Sequence, residues 1–329
     1  MKFGVYGCRH FHLEMAVDEM LKLGHECVGI YEPEGPLARK MAEKYSLPWL
    51  ETEKQLFDAE PEIALCSSIN HEKVEKIEAC CNRGIHIMLD KPLVTSLNEY
   101  ERVLKASAKS GTKIGLMLTE RFSPPVRRIK QLIDDGSLGD VVSLVFSKPH
   151  KLTPETRESW HFDKVQNGGP VVDLMIHDFD LIRWLTGSEV SKTMGMMKVG
   201  DREGYPDLYD DARLLVQMEN GVTATMMADW WTPAAYPCFG DERIVCTGTK
   251  GRCVAYLTGE PKLHPEPFLT LTTETGGEEI LSPIPAPKGL MEDFLEMIAG
   301  KPSIITQEDV FRSTYETLAA DRAVQVIKR

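Results

Sequence analysis

Among the eight cysteines there is no CxxC pair and no spacing suited to zinc: Cys8, Cys27, Cys66, Cys80, Cys81, Cys238, Cys246 and Cys253 are scattered, several inside apolar runs. Cysteine used in this way behaves as a small hydrophobe, the usage of a reducing compartment, so a cytoplasmic location is expected. Apolar stretches of membrane-spanning length are also missing, and the one within Met1–Gly7 is too short for a signal peptide. Positive charge is scarce, with 38 Lys and Arg against 50 Asp and Glu. The resulting charge of −12 is spread along the chain, and no basic stripe offers a nucleic-acid footprint. Neither nucleic acid nor a membrane is an expected partner, and no internal repeat points to a solenoid.

What the chain does have is rhythm. Its 329 residues exceed one ordinary core, so two domains are expected, at 1–120 and 121–329. The first third alternates short apolar runs, near Lys2–Tyr6, Glu26–Tyr31, Ile63–Ser67, His86–Leu89 and Lys113–Leu118, with amphipathic stretches. That alternation predicts an α/β, Rossmann-like, doubly wound parallel sheet. After it, a helix near Pro124–Asp134 leads through a strand at Val141–Ser147 to a second helix. From Val190 to about Glu279 the pattern is strand-like, with Asn220-Gly221 as a hairpin signal, and closing helices are predicted near Leu290–Ile298 and Gln307–Ile327. This half reads as α+β with a large, mainly antiparallel, open-faced sheet. Its uncovered face would leave apolar residues such as Met226 and Val254 wet in a monomer, so a homodimer or homotetramer through that sheet is expected.

Four segments carry chemistry. Gly7-Cys8-Arg9-His10-Phe11-His12 occupies the place of a dinucleotide phosphate loop, although Arg9 and His12 stand where the second and third glycines of GxGxxG belong. The free N–H groups of the following helix and the Arg9 guanidinium would still suit phosphates. Strand two ends in Tyr31-Glu32-Pro33, about 25 residues beyond Gly7, where a carboxylate would accept the ribose 2′-hydroxyl and repel a 2′-phosphate, favouring NAD over NADP. Leu89-Asp90-Lys91-Pro92 delivers a lysine at the carboxyl end of a strand, where open parallel sheets bind ligands, and Ser67, Ser68, Asn70 and His71 would line the same crevice. Finally, Gly168-Gly169 is followed by Asp173, His177 and Asp180. Residues four apart share a helix face, and an acid that orients an imidazole builds a general base. A helix whose histidine is merely hydrogen-bonded to a neighbouring carboxylate fits the same spacing.

The order of these segments, together with Arg121-Phe122 entering the second half and Gly248-Thr249-Lys250-Gly251 between two strands, resembles the Gfo/Idh/MocA oxidoreductases. The resemblance covers nearly the whole chain. It implies an NAD(P)-dependent dehydrogenase acting on a secondary alcohol of a sugar, cyclitol or related polyol. Asp90-Lys91-Pro92 matches the family's Glu-Lys-Pro motif with aspartate for glutamate. The family's active-site lysine then falls on Lys91, its substrate-contacting aspartate on Asp173 and its catalytic histidine on His177, and Arg121 joins the substrate-binding set. The irregular glycine loop is the main departure.

In the implied chemistry His177 takes the proton of a substrate hydroxyl and Lys91 stabilises the charge that develops on that oxygen, while Asp173 orients the sugar or steers the imidazole. Substrate selectivity is expected from Arg157, Trp160 and His161 and from the aromatic loop Trp230-Trp231-Thr232-Pro233 with Tyr236, which would stack on a sugar ring or serve as core or subunit contact. Two rival readings keep the fold: a sugar-binding regulator without turnover, and an enzyme that uses tightly held NAD transiently for elimination or glycoside cleavage. No metal is expected, because Asp173 and His177 have no further ligands at a recognisable spacing.

Overall fold

The computed structural model describes residues 1–200, 202–260 and 264–328. The chain forms two compact units, one made of Met1–Leu118, Val165–Gly168 and Lys288–Tyr315, the other of Thr119–Lys164, Gly169–Pro287 and the chain from Glu316 onward.

In the first unit, strands β1 (Lys2–Cys8), β2 (Glu26–Tyr31), β3 (Ile63–Ser67), β4 (His86–Leu89) and β5 (Ile114–Leu116) form a fully parallel sheet in the order β2-β1-β3-β4-β5. Their runs are apolar on both faces because helices cover both sides. The helices are α1 (His12–Lys22), α2 (Gly35–Tyr45), α3 (Glu53–Asp58), α4 (Lys73–Cys81) and α5 (Leu97–Ser110). Strand order reverses between β1 and β3, and the carboxyl ends at such a reversal are where doubly wound sheets bind ligands. Helix α3 lies outside the sequence expectation, although Thr52 and Gln55 form a capping box at its start.

The second unit carries a nine-stranded sheet. After α6 (Pro124–Asp134) come β6 (Val141–Pro149), α7 (Lys164–Asn167, largely in the first unit), α8 (Gly169–Leu174), α9 (Ile176–Thr186), β7 (Val190–Val199), β8 (Tyr209–Met218), β9 (Thr223–Asp229), β10 (Arg243–Gly248), β11 (Gly251–Tyr256), β12 (Phe268–Thr273) and β13 (Glu279–Leu281). Helices α10 (Leu290–Ile298) and α11 (Gln307–Ala323) precede a last strand, β14 (Gln325–Lys328). The order is β13-β12-β11-β10-β6-β9-β8-β7-β14, antiparallel except for the pairs β6 with β9 and β7 with β14. The sequence pattern carries the closing helix to Ile327, but the helix stops at Ala323. Val324-Gln325-Val326-Ile327 is β-branched and alternating, and it supplies backbone partners to the edge of β7.

One face of this sheet packs Leu144, Phe146, Leu214, Val216, Ala224 and Met226 into a core with Val171, Leu174, Phe179 and Ile182 of α8 and α9. Met226 is therefore buried, and Val254, which the register places on the other face with Val145, is buried as well, so the expectation that they stay wet is corrected. The period-two pleat instead turns Val145, Met194, Met196 and Leu215 outward, with Leu215 55% exposed. Val145, Thr225, Leu215 and Met194 sit opposite one another on adjacent strands, so they form one row.

Arg121 lies in a 3₁₀ turn, Thr119–Phe122, and is only 1% exposed. Its Nε and Nη2 donate to the two carboxylate oxygens of Asp180 at 2.8 and 2.7 Å, a bidentate fork that ties the turn to α9. The guanidinium is thereby engaged in the fold of the second unit. Arg121→Ala should lower the unfolding free energy by about 3–5 kcal/mol in urea denaturation, because Asp180 is left buried and uncompensated, and replacing both residues by apolar ones should restore much of that loss. An unchanged midpoint with a raised KM would place Arg121 at the substrate instead.

Candidate active site

At the end of β1 the backbone turns at Gly7, whose φ of +106° disfavours any side chain. A Cβ there would lie 2.1 Å from Ser68 Oγ, so a side chain at this position would also displace the Ser68 hydroxyl. Arg9 N donates to Ser67 O at 2.6 Å and His10 N to Ser67 Oγ at 3.1 Å, lacing the loop to β3. Glu32 is buried and accepts from Cys8 N (3.0 Å), Arg9 Nε (3.0 Å) and Glu34 N (3.2 Å). Among the described residues three of the roughly four acceptor sites of its carboxylate are used. Asn70 is buried, donating from Nδ2 to Asn167 O at 2.9 Å, while the buried Nδ1 of His71 has no hydrogen-bond partner among the described residues. Phe11 is exposed. A glycine cradle, a helix N-terminus and a buried carboxylate fit a dinucleotide, although Arg9 and His12 take the places of two glycines.

Beyond β4 the chain is held by a residue that sequence reasoning missed. Lys73 has no exposed surface, and its Nζ donates to Asp90 O (2.7 Å) and Pro92 O (2.9 Å), the carbonyls on either side of Lys91. The peptide groups around Lys91 are thus pinned, and its half-buried side chain leaves from a fixed base. The Asp90 carboxylate meets His12 Nδ1 at 3.1 Å, His10 Nδ1 at 3.4 Å and Ser67 Oγ at 3.3 Å. Burial works against its ionisation, but His10, His12 and Lys73 outweigh it and hold the carboxyl well below the usual range.

In the second unit Asp173 (7% exposed) lies in the last turn of α8 and His177 (9% exposed) in the first turn of α9. The expected single helix has a break at Met175, bridged by hydrogen bonds from Met175 N to Val171 O and from Phe179 N to Met175 O. Burial pushes the Arg157 guanidinium down, and the negative charge of Asp173 opposes that shift. Arg157 also donates from Nε to Leu152 O at 2.6 Å and lies 4.5 Å over the Trp230 ring. Arg157 is thereby anchored between the Leu152 carbonyl and the Trp230 ring. Trp160 is buried and stacks on His161 at 3.7 Å. Trp231 is exposed and Tyr236 half-buried, with Lys151 Nζ donating to Tyr236 O.

Behind His177 lies a charged cluster without a sequence signal. Lys148 of β6 is buried, donating to Glu120 and lying 3.2 Å from Asp178 Oδ1. Burial raises the Glu120 carboxyl, but Lys148 and His177 hold it below the ordinary range. For Asp178, burial wins over Lys148 and is reinforced by Glu120, so its carboxyl is pushed up to about 8. An aspartate ordinarily near 3.8 that rises to about 8 on folding contributes stability that is complete below 3.8 and lost as pH climbs to about 8. The melting temperature of the wild type should therefore fall relative to Asp178→Asn across that window and run parallel above it. A constant gap in pH-dependent calorimetry would refute the shift.

Comparison with known proteins places both units. Residues 1–117 match the oxidoreductase family with an NAD-binding Rossmann fold, and residues 126–254 match the GFO/IDH/MocA C-terminal domain. The inositol 2-dehydrogenase of Rhizobium meliloti (strain 1021) is 28% identical over 226 residues, covering 64% of this chain and 65% of that protein. The oxidoreductase YrbE of Bacillus subtilis (strain 168), a protein described as uncharacterized, is 31% identical over 175 residues, covering 52% and 48%. The first of these alignments reaches about two thirds of its relative's length and the second about half. Two solved structures share the fold over almost their full lengths: a protein from Erwinia carotovora atroseptica SCRI1043, with TM-score 0.91, 22% identity and 99% of each chain covered, and the aldose-aldose oxidoreductase of Caulobacter crescentus, with TM-score 0.82, 18% identity and 98% and 97% covered. With a glycine-turned loop at the sheet's reversal, a braced lysine after β4 and two family models spanning both halves, this chain belongs to the Gfo/Idh/MocA oxidoreductase family.

Proposed function

We propose that the protein is an NAD-dependent dehydrogenase that interconverts a secondary alcohol of a sugar, cyclitol or related polyol with its ketone. The observation that carries this reading is the bracing of Lys91 by Lys73, since two buried hydrogen bonds fix the backbone of the one lysine that the family motif singles out. A bound nicotinamide nucleotide would supply hydride transfer to and from carbon. Gly7 to Phe11, with Ser67, Ser68, Asn70, His71 and Asp90, would hold it. Glu32, with a carboxylate to accept a ribose hydroxyl and a charge that repels a 2′-phosphate, favours NAD over NADP.

His177 accepts the proton of the substrate hydroxyl, and the Glu120 carboxylate, whose charge His177 feels, favours the imidazolium that results. Lys91 donates to the same oxygen and offsets its growing negative charge. Asp173 accepts from a neighbouring hydroxyl, and the Arg157 charge, held over Trp230, acts on its carboxylate. The inositol dehydrogenases among the relatives support a polyol substrate.

Titration of nicotinamide fluorescence, followed by a panel of cyclitols and aldoses read at the nicotinamide absorbance, tests the reading. His177→Ala and Lys91→Ala should each cut turnover by roughly 10²–10³-fold while the affinity for NADH stays within about twofold. Undiminished turnover in either variant refutes the role assigned to it. We further infer that a second copy covers the outward row of Val145, Leu215 and Met194. Leu215→Glu should then shift the mass in light scattering to that of one chain, and a wild type already at that mass overturns the inference.

A further inference from the structure

We propose that His10, His12 and Asp90 form a site for a divalent transition-metal ion of the zinc class. The ligand atoms come from three places: the loop after β1, the first residue of α1, and the end of β4. One nitrogen from each imidazole and one carboxylate oxygen lie within 4.8 Å of one another. His12 Nδ1 and Asp90 Oδ1 are 3.1 Å apart, and His10 Nδ1 and Asp90 Oδ2 are 3.4 Å apart. A tetrahedral ion with bonds of about 2.0–2.1 Å separates neighbouring ligands by about 3.3 Å, so each imidazole already stands at that spacing from one of the two Asp90 oxygens, and an ion would replace the His12 Nδ1–Asp90 hydrogen bond and the His12 N to His10 Nδ1 contact. Two imidazoles and one carboxylate suit zinc, cobalt or ferrous iron, whereas magnesium and calcium prefer all-oxygen shells.

The surroundings are those of a held ligand set. Ser67 Oγ donates to Asp90 Oδ2 at 3.3 Å, and Lys73 grips the Asp90 carbonyl at 2.7 Å, so the carboxylate is oriented from outside the cluster. Asp90 is buried, while the side chains of His10 and His12 keep 18% and 31% of their surface, enough for an ion to enter. The N-terminus of α1 by itself disfavours a cation, and the Asp90 charge supplies the compensation. Three protein ligands leave coordination positions open. The site shares His10 and Asp90 with the residues proposed to hold the nucleotide, but its failure is distinguishable from failure of the dehydrogenase reading, because binding of the ion is measured without turnover or nucleotide.

Protein treated with a chelator and desalted is titrated with Zn²⁺ by calorimetry and with Co²⁺ by visible absorption. One ion per chain is expected, with the intense bands of low-coordinate cobalt. His10→Gln and His12→Gln should each abolish binding, Ser67→Ala should weaken it about tenfold, and His25→Gln, at a distant surface position, should leave it unchanged. In the wild type, Zn²⁺ should protect His10 and His12, but not His25, from diethyl pyrocarbonate in mass-spectrometric mapping, a readout that needs no variant to fold. Absence of stoichiometric binding, or binding that survives both glutamine substitutions, overturns the proposal, as does equal modification of all three histidines with and without Zn²⁺.

Discussion

A lysine with no exposed surface must have its charge answered by nearby oxygens, and Lys73 finds them in the two carbonyls that flank Lys91. The consequence runs outward in both directions. Toward the sheet, the clamp fixes how the chain leaves β4. Toward solvent, it fixes where Lys91 starts and how the Asp90 carboxylate meets His10, His12 and Ser67. Without this buried ammonium the peptide groups of Asp90 and Pro92 would have to find other donors, and the geometry at the end of β4 would no longer be set by the core.

The first unit was largely legible because its strands and helices obey simple periodicities. The carboxyl-end positions of Glu32, Ser67 and Lys91 followed from where the apolar runs stop, and the hairpin at Asn220-Gly221 from its turn chemistry. The outward and inward faces of the nine-stranded sheet were harder. Met226 and Leu215 lie in equally apolar strands, and which one meets α8 and α9 depends on register, which a short alternating run does not fix by itself. The edge strand β14 was hidden for a related reason: its residues extend a helical pattern until the β-branched triplet, and only the open edge of β7 decides between the two.

The charged residues show the same divide. Asp173 and His177 stand out because they interrupt an apolar helix four residues apart. Glu120, Lys148 and Asp178 come from a turn, a strand and a helix, so no local window contains them, and each taken alone reads as a surface charge. Burial changes their meaning, since one cation between two carboxylates in a dry environment cannot leave both ionised at ordinary cost. The His10, His12 and Asp90 grouping was invisible for the same reason, with about eighty residues separating the imidazoles from the carboxylate. Arg121 shows the reverse: its place in the order of motifs suggested a ligand, and the structure pairs it with Asp180, an acid already visible in the chain.

Glu32 is a single side chain with two duties. The carboxylate that would discriminate between nucleotides is also the clasp that closes the loop on Cys8, Arg9 and Glu34. Any exchange of that acid for a residue friendlier to an extra phosphate would unfasten the loop at the same stroke, so a variant aimed at coenzyme preference would need compensating substitutions at Arg9 or Glu34.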